Sequence, residues 1–482
     1  MFLQNIVILH FNLYFCLNFK MKLRLRQLRQ GGGGAAANGE AWLLGGVAVA
    51  GGALAYEKPC YLLDGDVYRI QETCPMDTKL KINELHQVYG VEDKGVTDVV
   101  IPDGVDVIKP HSFKGCRKLK TVKIPDSVGT IGPGAFADCS SLKEIVLPHN
   151  LRMIGANVFA GCTSLRKVTI QENVTAIALT AFVGCKRLKE LIVSPANGKY
   201  CSVDGIIYNK KKTILYMVPA KAKISDFVID KKVKKIAKGA FRGCQTVESV
   251  VVPRSITKWN DYTFQDCKNL RTINIPEGTT EIPFLFLSGC SSLEEITIPE
   301  SVEYIFGSAF ARCSSLRSIT LPRNVSVIFC GAFDGCDSLE RIEVDPNNEK
   351  YASVDGVLYS KDMHRIRCYP AAHPAETFTV PSTVTVIEDS IFSHCKHLKE
   401  LHIPDNSYLG ENVIKNCPAL TAIHLHIKDI KEASINMAAF FGVHASCTLY
   451  VPKGCADEYR KLLTFAPFTD IREEEQGEDG IS

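Results

Sequence analysis

Apolar and polar positions along this chain follow a 23-residue beat. Cys116, Cys139, Cys162 and Cys185 stand 23 residues apart, and Cys244, Cys267, Cys290, Cys313 and Cys336 keep the same step. Cys395 and Cys417 follow. Three residues before each cysteine lies Phe in nine of eleven cases (Phe113, Phe136, Phe159, Phe182, Phe241, Phe264, Phe310, Phe333, Phe392), with Leu287 and Ile414 in the others. Three residues after each lies a Leu, or Val247. Two alternating apolar positions come next, as in Val122/Ile124, Ile273/Ile275 and Ile296/Ile298, and a proline often closes the run (Pro125, Pro276, Pro299). Pairs such as Val128/Ile131 and Val302/Ile305 complete the unit.

Each piece predicts an element. The I-x-I alternation is a half-buried strand with one residue facing out between two facing in. The proline cannot donate to a ladder, so it ends the strand and starts a turn. The V-x-x-I and A-F-x-x-C pieces are too short for free helices. They predict a second short strand and a tight helical or 3-10 turn. One coil cannot bury its own Leu, Ile, Phe and Cys, but stacked coils share a core. At ~4.8 Å per strand, about fourteen coils would span on the order of 70 Å. The spacings 185→244 and 336→395 are both 59, read as one repeat plus an insertion of 36. The insertions, near 195–220 and 346–371, resemble each other: Asn197 to Tyr208 reads NGKYCSVDGIIY and Asn348 to Tyr359 reads NEKYASVDGVLY. Asp204-Gly205 and Asp355-Gly356 are hairpin turn signals between apolar strands.

From roughly residue 96 to 426 the pieces L-x-x-I-x-I-P, S-V-x-x-I-G and A-F-x-x-C-S-S recur in order, most clearly from Ser127 to Leu142 and from Ser301 to Leu316. This pattern resembles the BspA-type leucine-rich-repeat family of surface proteins. The expected fold is therefore a leucine-rich-repeat solenoid, mostly β. It is a right-handed superhelix of 23-residue coils, one parallel strand, a short second strand and a 3-10 or helical turn per coil, with two β-hairpin insertions. The resemblance implies an adhesin that attaches to host matrix proteins or other cells.

The ends read differently. Residues 1–55 join a basic run (Lys22, Arg24, Arg26, Arg29), a short apolar run and Ala53-Leu54-Ala55, the parts of a secretory signal peptide, with Met21 as a start. Residues 56–95 are expected to form an N-terminal cap, 96–446 the solenoid, and 447–482 a C-terminal cap and acidic tail. A last strand is expected at Thr448 to Gly454, and a capping helix at Tyr459 to Leu463. The expected location is exported, at the cell surface or secreted, with no transmembrane span in the mature chain.

Charge and cysteine content change this picture only locally. The 482 residues hold 56 Lys plus Arg and 53 Asp plus Glu, a net charge of +3. Residues 1–55 contain five basic residues and one acid, so the remainder holds 51 and 52, or −1. Bulk charge gives no case for specific nucleic-acid binding. Eleven of the 19 cysteines are ladder positions, where a small apolar side chain with a weak donor suits a buried site. Cys60/Cys74 and Cys447/Cys455 bracket the two caps as candidate disulfides.

No H-E-x-x-H, phosphate loop or G-x-S-x-G motif is present, and no enzyme activity, cofactor or metal site is expected. The better candidate is the row of outward residues on the I-x-I strands, above all Thr169, Ile192, Val228, Val251, Asn274, Thr297, Thr320 and Thr379. An exposed Val/Ile/Thr stripe suggests a protein-binding face, although β-branched residues also simply suit strands. His402 and His424 share this row with His426 nearby; histidines without a carboxylate do not define a metal site. Lys210, Lys211 and Lys212 lead a local cluster of eleven lysines that suits an acidic glycan or other polyanion.

Overall fold

The computed structural model describes residues 80–474 apart from Glu432, together with the strands Leu62–Leu63 and Asp66–Val67. The chain divides into two units, residues 1–73 and 74–482. In the first, Leu62 pairs with Val67 and Leu63 with Asp66, antiparallel. The expected leader, the Cys60/Cys74 pair and the end of the acidic tail lie outside the described residues. Among the described residues no helix is long and apolar enough to cross a membrane.

The second unit is a mostly β solenoid of about 17 turns at the 23-residue spacing. One side of most coils carries the I-x-I strand; the Ile296/Ile298 coil keeps the buried pair without a strand. Thr169 pairs in parallel with Val146 on one neighbour and Ile192 on the other, each 23 residues away. A second side carries the V-x-x-I strand, as where Ile108 pairs with Ile131. The third side is the A-F-x-x-C piece, and it is a hydrogen-bonded turn rather than a helix. Its amides bond to the next coil: Phe136 N donates to Val158 O at 2.9 Å and Asp138 N to Ala160 O at 2.7 Å. All three sides are thus laddered, which accounts for the backbone donors without helix.

The Phe–Cys period has a specific cause. Phe113, Phe136, Phe159 and Phe182 stack at 5.0–5.7 Å between successive rings. Eight of the eleven ladder thiols then donate to the carbonyl of the Phe-position residue one coil back. Cys139 Sγ reaches Phe113 O at 3.2 Å, Cys162 Sγ reaches Phe136 O at 3.1 Å, and Cys290 Sγ reaches Phe264 O at 3.2 Å. Cysteine fits because it is small and apolar yet adds a second, inter-coil donor to a buried carbonyl that already accepts a backbone amide of its own coil, as Phe113 O does from Cys116 N at 3.1 Å.

The two 59-residue gaps between ladder cysteines each contain a coil that has no ladder cysteine. Each holds two coils and about 13 extra residues, not one coil and 36. The hidden coils carry the outward strands Asp226–Val228 and Thr377–Thr379. They place Val218 and Lys221, or Tyr369 and Ala372, where other coils place Phe and Cys. The expected fourteen coils undercount the turns at the end of the stack instead, where Thr448–Val451 and Asp470–Glu473 add two further rungs.

The extra residues form the two expected hairpins. Val203 pairs with Ile206 and Val354 with Val357, closing two-residue turns. Asp204 and Gly205 have φ of 51° and 77°, and Asp355 and Gly356 of 50° and 80°, the type I′ turn that a right-twisted hairpin favours. Each tip lies on an outward strand: Leu191 N donates to Gly205 O at 3.2 Å, and Ile342 N to Gly356 O at 2.8 Å. Glycine is required there twice over, since a Cβ on Gly356 would sit 2.6 Å from Arg341 Cβ. A buried asparagine anchors each base. Asn197 Nδ2 donates to Gln171 O and Val174 O while its Oδ1 accepts from Lys199 N and Tyr200 N. Asn348 repeats the arrangement.

The hairpins are internal walls. Neighbouring residues on one hairpin strand bury into different cores: Ile207 joins the core that begins at Val88, and Ile206 the next one. Leu358 and Val357 divide the second core from the third in the same way. This explains why I-I-Y and V-L-Y are continuously apolar, since both faces of the strand are buried.

The C-terminal cap differs from expectation in detail. The strand Thr448–Val451 is followed by the helix Ala456–Arg460, the 3-10 turn Leu463–Phe465 and a further strand, Asp470–Glu473, which is the last rung. Cys447 and Cys455 are free thiols, not a bridge; Cys447 is in the core, while Cys455 Sγ bonds Lys428 O at the start of the helix.

Candidate functional site

The outward row exists, but the hairpins cut it into three stretches. The first runs through Val100, Lys123, Val146, Thr169 and Ile192. Thr169 and Ile192 are half-buried, and Lys123 interrupts the apolar surface. The second holds Val228, Val251, Asn274, Thr297, Thr320 and Glu343, all exposed. Here Val228 pairs with Val251 and Thr320 with Glu343. Val228 is 69% exposed and Val251 52%, unusually high for valine on a strand. Asn274 has a structural task as well. Its side chain accepts from Val252 N at 2.7 Å and donates to Val252 O at 2.9 Å, replacing ladder bonds. Ile192 and Val228, neighbours in the sequence-derived row, belong to different sheets.

The third stretch runs Thr379, His402, His424, Tyr450 and Arg472, register partners in turn. The His402 and His424 rings stack at 4.2 Å, and Tyr450 stacks on His424 at 4.5 Å. Two carboxylates join them. Glu400 Oε1 lies 3.1 Å from His402 Nε2 and 2.9 Å from His424 Nε2. Glu474 lies 3.0 Å from His424 Nδ1 and 3.4 Å from His426 Nδ1.

The lysine cluster separates into individual roles. Lys210 Nζ is tied to Pro195 O at 2.8 Å, and Lys212 is a left-handed turn residue. Lys199 is tied to Thr175 O and Lys238 to Asp261. Lys211 instead lines an open depression with Lys231, Lys232, Lys234 and Arg254, beside Thr213, Pro253 and Ser255. The 23-residue period builds this basic corner: Lys211 and Lys234 are one repeat apart, as are Lys231 and Arg254. Five cations and no acid line it, so their fields add at short range. Arg254 was not among the sequence candidates, although its spacing from Lys231 was legible.

The fold defines a leucine-rich-repeat solenoid. The chain belongs to the family described as BspA type leucine rich repeat region, whose model matches residues 89–201, 216–350 and 367–458 in six copies. No curated protein matches it. Similar solved structures include a leucine rich cell surface protein from Faecalibacterium prausnitzii, 22% identical over 84% of this chain and 96% of that one, with a TM-score of 0.36. The pneumococcal vaccine antigen PcpA is 18% identical over 83% of this chain and 85% of that one, TM-score 0.40. A leucine-rich repeat protein from Bacteroides ovatus is 20% identical over 84% of this chain and 100% of that one, TM-score 0.40.

Proposed function

We propose that this is an exported, non-enzymatic repeat protein of the cell surface that binds a protein partner through the outward strands of its middle block. The observation that carries this reading is the stretch from Val228 to Glu343. It presents six consecutive exposed outward residues between two hairpins, with Val228 and Val251 largely uncovered. The strip is apolar at its Val228–Val251 end and polar from Asn274 to Glu343, and an exposed apolar end beside polar residues suits a protein contact. Membership of a surface-protein family supports the location, and such a partner is an extracellular matrix or cell-surface protein. In a binding panel of such proteins, the Val228→Glu/Val251→Glu variant is expected to lose at least tenfold in affinity, on the order of 1.4 kcal/mol or more. Unchanged affinity for a bound protein would refute this face.

The basic corner favours a second reading, an acidic glycan or other polyanion. If it operates, retention on heparin will fall sharply in the Lys211→Glu/Lys231→Glu/Lys234→Glu variant and will drop with salt. The Lys210→Glu variant will change it little, because Lys210 is tied to Pro195. Equal retention by all forms would reject this corner.

A further inference from the structure

We infer that Glu400, His402 and His424 form a binding site for one divalent late first-row transition ion, zinc above all. The strand register builds it. His402 lies opposite His424 on the paired strands Glu400–Ile403 and Ala422–Leu425. Glu400 is two residues before His402, so both side chains leave the strand on the same face. One ligand atom from each of the three falls within 4.8 Å of the others. Zinc bonds to nitrogen and oxygen are about 2.0–2.2 Å, which places neighbouring donors of a tetrahedral site about 3.3 Å apart. Glu400 Oε1 is already 3.1 Å and 2.9 Å from the two Nε2 atoms. Small rotations of three half-buried side chains admit the ion.

The next layer of contacts has the form that metal sites use. Glu474 Oε1 is 3.0 Å from His424 Nδ1, so Nδ1–H donates to it and Nε2 keeps its lone pair for a metal. Hydrogen-bond accounting points the same way. A neutral imidazole has one donor and one acceptor nitrogen. Both nitrogens of His424 face carboxylate oxygens, so one contact calls for an added proton or a metal cation. Tyr450 stacks on the far side of the ring, 6° from parallel, and holds its plane. The side chains of His402 and His424 are 23% and 16% exposed, dry enough to strengthen a bond and open enough for entry. Two imidazoles and a carboxylate suit zinc, and the same set disfavours magnesium and calcium. Three protein ligands are the number found where zinc keeps a fourth position for water or an incoming group.

The site stands independently of the protein-binding face, because it lies in the third block. The full chain, stripped with chelator, is titrated with zinc against a chromophoric competitor and then with cobalt. One zinc per chain is expected at this site. Affinity should fall at least about 100-fold in the His402→Gln/His424→Gln variant and roughly 10–100-fold in Glu474→Gln, both checked for unchanged circular dichroism. The cobalt spectrum of the unaltered chain should show nitrogen and oxygen ligation without a thiolate charge-transfer band, which separates this site from the cysteines and needs no variant. No zinc binding, unchanged affinity in the double variant, or a thiolate band as the sole signal would overturn the assignment.

Discussion

Above about pH 9 this protein is expected to lose its fold steeply. The buried thiols are the cause. Burial pushes Cys116 up to about 11, and Cys185, Cys313 and Cys447 up to about 12, from an ordinary value of 9.0. In the unfolded chain these thiols ionise near 9. Between there and the folded values, the unfolded state releases protons that the folded state must keep. Stability is therefore intact below pH 9 and is lost as pH rises toward 11–12. Each such thiol contributes a slope of about 1.4 kcal/mol per pH unit, and four give on the order of 5 kcal/mol per unit. Typical domains have only about 5–15 kcal/mol in total, so about one to three pH units suffice. Circular dichroism and thiolate absorbance should change together. Full thiolate absorbance near pH 9.5 with an unaltered dichroism spectrum would contradict the buried ladder.

A second large effect is expected from Phe159→Ala. Phe159 is fully buried and stacks on Phe136 at 5.7 Å and Phe182 at 5.6 Å. Truncation removes both ring contacts and leaves a cavity between coils, at a cost of about 3–5 kcal/mol. In a solenoid each coil touches its neighbours only, so the loss should stay local. The hairpin wall at Ile206/Ile207 defines where it stops. Amides of the first block should exchange on the order of a hundredfold or more faster, since each 1.4 kcal/mol is tenfold. Amides of the second and third blocks should keep their rates. Equal acceleration in all three would show one cooperative core and contradict the internal walls.

The repeating parts of this structure were legible because each coil makes the same local choices. Phe, Cys and I-x-I recur at a fixed step, and the two Asp-Gly turns announce hairpins by their backbone demands. The hidden coils were not legible from cysteine, because Lys221 and Ala372 stand at that position. The outward residues did carry the signal: Ile192 to Val228 and Glu343 to Thr379 are both 36 apart, one repeat plus 13. The cutting of the row depends on where a hairpin docks, which is a tertiary event. Of the histidine cluster, Glu400 was readable from its place two residues before His402 on one strand. Glu474 was not, because it reaches His424 from 50 residues away at the end of the last rung. The Cys447/Cys455 pairing failed because proximity in sequence places one thiol in the core and the other at a helix start.

The most direct test of the account is a hydrogen-exchange footprint of the full chain with a protein partner bound. Protection is expected on the outward strands from Asp226–Val228 to Arg341–Val344, bounded by the two hairpins. The first block and the third-block strands should exchange as in the free chain. A footprint confined to the basic corner, to another block or to the Phe–Cys side would contradict it.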